Sequence, residues 1–149
     1  MRVLWFAPNK PANISVGRSR IVDQLRNRGF DVTIHRTIPT TVLKGLLQGS
    51  AYDVFVGTTR AGAIAAAVVA TLHRRPLVVD HVDPISQFEA THPRWLTAIV
   101  KNLEGLVFSL AAHVFYVYPE EASRVEDRVE VATRTDLGLD YETFADPPT

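Results

Sequence analysis

The chain has 149 residues, 46% of them hydrophobic, with 16 Lys and Arg against 16 Asp and Glu. That is enough apolar material for one domain with its own core, and the even charge balance does not indicate a globally basic nucleic-acid binder. The absence of cysteine excludes disulfides and thiolate metal sites.

Arg2 to Ala7 opens the chain, with a continuous apolar run from Val3 to Ala7, the pattern of a strand buried on both faces of a parallel sheet. A long polar loop, Pro8 to Gly17, follows it. A helix is expected from about Ser15, with Ile21, Val22 and Leu25 at helical spacing and Gly29 as its C′ residue. Asp31–His35 reads as a second strand, and Thr41 to Gly49 as a short helix. Asp53–Gly57 reads as a third strand, and Arg60–Arg74 as an alanine-rich helix able to approach the sheet closely. Leu77–Asp80 is a fourth strand, followed by a loop to about Thr91. Pro93 then precedes a long helix on which Trp95, Leu96, Ile99, Val100, Leu103, Leu106, Val107 and Leu110 trace one apolar stripe. His113–Tyr118 is a fifth strand, a short helix begins at Pro119, and Arg128–Ala132 alternates like a strand near an edge. Strands alternating with helices predict an α/β fold: a single Rossmann-like doubly wound domain, with a mostly parallel six-stranded sheet and helices on both faces. The domain is expected over residues 1–135, with 136–149 resembling the start of a linker.

The charge balance conceals an asymmetry. Residues 1–75 carry eleven Lys and Arg and three Asp and Glu, a net of +8; residues 76–149 carry five and thirteen, a net of −8. If the halves occupy opposite sides of a sheet, the resulting field would draw an anionic ligand or membrane surface to one side. Clustering on a solvated surface is the plainer reading. No signal segment or membrane span is visible, so a soluble, cytoplasmic protein is expected.

The first loop holds one glycine, Gly17, where a dinucleotide-binding turn needs G-x-G-x-x-G, and His35-Arg36 stands where that motif needs an acid. No P-loop sequence occurs. The loop can still bind an anion through Asn9, Lys10, Asn13, Ser15 and backbone N–H groups near a helix N-terminus; the alternative is a plain capped loop. Asp80-His81-Val82-Asp83 places three ionisable groups at the end of the fourth strand, where α/β proteins hold functional side chains. His81 is the histidine with the strongest case for a hydrogen-bonding or acid/base role, against the alternative of a satisfied surface histidine. The histidines do not cluster in a metal-ligand spacing, so no metal site is expected. Thr58, Thr59 and Arg60 follow the third strand, and Tyr118, Glu120 and Glu121 the fifth; each reads more readily as solvated than as functional.

In order and spacing, several segments resemble the N-terminal domain of family 4 glycosyltransferases of the GT-B type. They are Met1–Pro8, Leu25–Val32, Ala51–Val56, Pro76–His81, Leu103-Glu104 with Ala111–Tyr118, and Asp136–Phe144. The resemblance spans nearly the whole chain. It implies the acceptor-binding half of a retaining enzyme that moves a sugar from a nucleotide-sugar to a sugar, lipid or other small acceptor, with no cofactor and no obligatory metal. The half would be inactive without a C-terminal domain carrying paired glutamates and most donor contacts. His81 matches the family's histidine near the reacting sugar, and Gly17 its loop glycine near the donor diphosphate; Asn9, Arg60 and Asp83 are added from position alone. The chain departs from the pattern in its single loop glycine and in Tyr118-Pro119, where serine is usual. A free-standing, non-catalytic ligand- or partner-binding module and a GT-B-type epimerase half stay open beside it.

Overall fold

A computed structural model of the chain describes residues 1–7, 16–82 and 84–134, with the backbone alone for residues 16–20. Six strands form one sheet: β1 (Arg2–Ala7), β2 (Asp31–Arg36), β3 (Val54–Thr58), β4 (Leu77–His81), β5 (His113–Tyr116) and β6 (Ala132–Arg134). Their order is β2-β1-β3-β4-β5-β6, and every pair is parallel. The helices are α1 (Val16–Asn27), α2 (Pro39–Gln48), α3 (Thr59–His73), α4 (Ile85–Thr91), α5 (Arg94–Leu110) and α6 (Ala122–Glu126). The parallel α/β fold read from the sequence is the fold found.

Alternation along β1 builds two cores. Leu4 and Phe6 point to one face and pack with Phe55, Val79, Phe108 and the alanines of α3. Val3 and Trp5 point to the other and pack with Val22 of α1, Val32 and Val56. Both faces are therefore covered, which explains why β1 carries no polar residue after Arg2. α3 lies close against β3 because Gly57 meets Gly62: a Cβ on Gly57 would stand 2.3 Å from the Gly62 carbonyl oxygen. α1 ends as its sequence predicts. Gly29 takes φ +92°, Phe30 N–H donates to the Leu25 carbonyl at 3.0 Å, and Gly29 N–H donates to that of Arg26 at 3.1 Å, the paired bonds of a Schellman stop.

Three elements differ from expectation. The loop expected between His81 and Thr91 contains α4, started by Pro84 at its N-cap. The sixth strand lies at Ala132–Arg134 rather than 128–132, because Val129 is drawn into the core and pulls the preceding segment out of the sheet. The stripe on α5 divides: Val107 and Phe108 are buried, while Trp95, Ile99, Leu103, Leu106 and Leu110 are exposed. Sheet order also places the two halves of the chain: the described residues of 1–75 build the β2-β1-β3 end and those of 76–134 build the β4-β5-β6 end, so the halves lie side by side along the sheet rather than on its opposite faces.

Candidate functional site

In a parallel sheet all strands end at one edge, and the helices that follow them begin there. β4 delivers His81 to that edge, and β3 delivers Thr58 and the start of α3. The polypeptide returns to β2 from the C-terminus of α1, so the N-terminus of α1, with Gly17 as its second residue, lies at the same edge. Asn9 and Asp83 fall outside the described residues.

Asp80 and His81 do not converge. Successive strand residues face opposite ways. Asp80 points to the α1 face, where Trp5 Nε1 donates to Thr58 Oγ1 at 2.7 Å and Thr58 Oγ1 donates to Asp80 Oδ2 at 3.0 Å. His81 points to the α3 and α5 face. Gly17 and His81 thus share an edge of the sheet while their elements cover different faces.

His81 is 4% exposed and sits between two glutamates. Its Nε2 lies 2.7 Å from Glu121 Oε1, and since a carboxylate only accepts, Nε2 carries the proton. Its Nδ1 lies 3.8 Å from Glu104 Oε2, beyond hydrogen-bond reach. The ring meets Phe108 edge-on, with centroids 5.0 Å apart. Glu121 Oε1 also accepts from Arg124 Nη1 at 2.6 Å and from the Ile85 backbone N–H at 3.1 Å. Arg124 Nη2 reaches Glu104 Oε1 at 3.2 Å, and Arg60 Nε lies 3.0 Å from Glu104 Oε2. The Arg60 guanidinium also lies 5.1 Å from the centre of the Phe88 ring.

Two carboxylates and two guanidiniums make this cluster neutral when His81 is neutral, which is how two glutamates 4% and 2% exposed are tolerated. Burial pushes the Glu121 carboxyl up. The His81 hydrogen bond, the Arg124 charge, the His81 charge and the Ile85 N–H together outweigh burial and hold the carboxyl below its ordinary range.

Of the residues singled out in the sequence, Arg60 and His81 are brought together through Glu104. Glu121, expected to be solvated, is buried, because the turn Pro119–Glu121 folds it inward beneath β4. Glu104 and Arg124 were not foreseen as site residues. Glu104 had a legible signal: it lies four residues before Phe108 and seven after Thr97, on the side of α5 that faces the sheet. Among the described residues, no group of three or more His, Asp or Glu side chains is arranged to hold a metal ion.

The architecture is thus that of an open parallel α/β domain with a buried charged cluster at the carboxyl edge, the edge at which such sheets bind ligands. No protein-family model matches the chain, and no curated protein matches it. Solved structures share its fold. HepE (Alr3699) from Anabaena in complex with UDP and glucose superposes with a TM-score of 0.63 and 17% identity, over 95% of this chain and 46% of HepE. HepE with UDP-glucose gives 0.62 and 18% identity, over 95% and 45%. The chain therefore spans less than half the length of the protein it resembles.

Proposed function

We propose that residues 1–135 form the acceptor-side domain of a retaining, GT-B-type glycosyltransferase of family 4, and that residues 136–149 lead toward a second domain. The observation that carries this reading is the likeness, over 95% of the chain, to a protein solved with UDP and glucose bound. The ordered motif resemblance points the same way independently.

In this reading the nucleotide-sugar lies across the carboxyl edge, held mainly by a second domain. Transfer breaks the bond between the anomeric carbon and the diphosphate, forms one from the same carbon to an acceptor hydroxyl oxygen, and passes that hydroxyl's proton to an oxygen of the departing diphosphate. Negative charge grows on the departing diphosphate. Backbone N–H groups at the N-terminus of α1, around Gly17, stabilise it without a metal. Asn9 and Asp83, which follow β1 and β4 in the chain, contact acceptor or donor phosphate. His81 works from within its cluster: Glu121 fixes the tautomer and tilt of the ring, and Arg60 is held beside it by Glu104. The 149-residue chain alone turns over no nucleotide-sugar, and its place of work is the cytoplasm. A non-catalytic binding module is the second reading. It differs in predicting ligand binding without any partner domain that restores transfer.

The test is a titration of isotopically labelled protein with UDP, UDP-glucose and glucose, followed by NMR. Shifts concentrated at Gly17, Arg60, His81 and the loops containing Asn9 and Asp83 are expected. No shift there with any of the three, or release of glucose from UDP-glucose by the chain alone, overturns the reading.

A further inference from the structure

A second feature of the molecule lies away from the carboxyl-edge cluster. On α5, Trp95, Ile99, Leu103, Leu106 and Leu110 are all exposed, Trp95 at 66% and Leu106 at 54%. At 100° per residue these five fall within about 80° of arc, so they form one continuous stripe on the side of the helix turned from the sheet. α3 packs beside α5, and α2 beside α3. Their outer surfaces add Val68 and Leu72, and Leu43 and Leu47, all at least half exposed. Single exposed apolar residues need no explanation, but a run of them across three neighbouring helices does.

The charges on this layer have one sign. Neither α2 nor α3 contains an Asp or Glu, and the only acid of α5 is the buried Glu104. Lys44, Arg74, Arg75 and Arg94 are exposed on these helices or at their ends, and Lys101 is paired with Glu89 of α4 at 2.6 Å. The exposed acids Glu126 and Asp127 stand beyond the layer, at the end of α6. No helix among the described residues is long and apolar enough to cross a membrane.

We propose that the outer face of α2, α3 and α5 is a docking surface for an anionic lipid bilayer, lying in the plane of the interface. An apolar stripe with cations along its flank and a tryptophan at one end suits that boundary, where apolar side chains enter the acyl region and cations meet lipid phosphates. A symmetric dimer through the same face would bring Lys44, Arg74 and Arg75 of both copies onto one interface, with no exposed acid on those helices to answer them. The layer covers a face of the sheet and leaves the carboxyl edge open, so docking is compatible with ligand entry at His81. The inference stands whether or not the domain serves sugar transfer.

The 149-residue chain would be sedimented with vesicles of phosphatidylcholine alone and of phosphatidylcholine mixed with phosphatidylglycerol, at low and at high salt. Binding to the mixed vesicles roughly tenfold or more tighter than to phosphatidylcholine, weakened by salt, is expected. Trp5 is buried and hydrogen-bonded to Thr58, so a blue shift of tryptophan emission reports Trp95, and Trp95→Phe should abolish the shift. The double variants Ile99→Gln/Leu106→Gln and Arg74→Gln/Arg75→Gln should each lower binding about tenfold with circular dichroism unchanged. Equal binding to both vesicle types, no binding, or binding untouched by either double variant overturns the proposal. So does a dimer in analytical ultracentrifugation that the Ile99→Gln/Leu106→Gln variant disperses.

Discussion

Glu121→Gln is the sharpest test of how the buried cluster is held. In the native protein one oxygen, Oε1, accepts from His81, Arg124 and Ile85. A hydrogen bond to a charged acceptor contributes about 1.5–3 kcal/mol, and a neutral one about 0.5–1.5. An amide oxygen in the same place loses about 1 kcal/mol for each of the three bonds. Arg124 recovers part of that, since it also reaches Glu104 and is partly open to water. The net loss is about 2–3 kcal/mol, or roughly 5–10 °C in Tm for a chain of this length. The pH dependence carries a separate signature. A carboxyl whose pKa is lowered on folding contributes stability that is complete above its unfolded value, near pH 4.3. That contribution is lost as the pH falls through the lower, folded value. The gap between native and Glu121→Gln proteins should close on acidification below pH 4–5. Urea unfolding across that range measures it. A variant within 0.5 kcal/mol of the native protein, or a gap independent of pH, would refute the account of the cluster.

Two further comparisons each set a costly change beside a cheap one. Gly57→Ala should destabilise by roughly 3 kcal/mol or more, because its Cβ meets backbone atoms of Gly62 and Ala63 at 2.3 and 2.6 Å. Gly29→Ala meets nothing within 4 Å and bears only the strain of φ +92°, about 1–2 kcal/mol; chemical denaturation ranks them, and equal costs would contradict the close approach of α3 to β3. On α5, Phe108→Ala should cost about 3–5 kcal/mol, as its side chain is buried in the core. Leu106→Ala, two residues earlier and exposed, should stay within about 0.5 kcal/mol. The same denaturation series decides it, and a large loss at Leu106 would mean that the outer face is packed rather than open.

The contrast between Leu106 and Phe108 also shows where a linear reading of this chain succeeds and where it stops. β1 was legible because a residue buried on both faces must be apolar at every position, and Val3 to Ala7 satisfies that without exception. The end of α1 was legible because a left-handed C′ residue is written in the sequence as Gly29. α5 was not. Periodicity reports that an apolar face exists, but not that it is covered. The helix has two faces poor in charge: one packs on the sheet through Val107 and Phe108, and the other faces outward. Eight apolar residues read as one stripe because both faces contribute to it.

The carboxyl-edge cluster follows the same logic in reverse. His81 stood out because a histidine ending a parallel strand is exceptional against Val78 and Val79 before it. Glu121 is an ordinary letter in a turn, and nothing local sets it apart from a solvated acid; Glu104 is marked only by its helical spacing from Thr97 and Phe108. Their burial is a property of the assembled sheet. β4 carries His81 to the edge, α5 passes over the α3 side of the sheet, and the Pro119–Glu121 turn closes beneath, so that two acids and two arginines converge on one imidazole. A charge can be buried only where others compensate it, and those others come from α3, α5 and α6, up to 64 positions apart in the chain between Arg60 and Arg124. The residues that hold a histidine in place are therefore the ones a sequence hides best, although the histidine itself is plain to see.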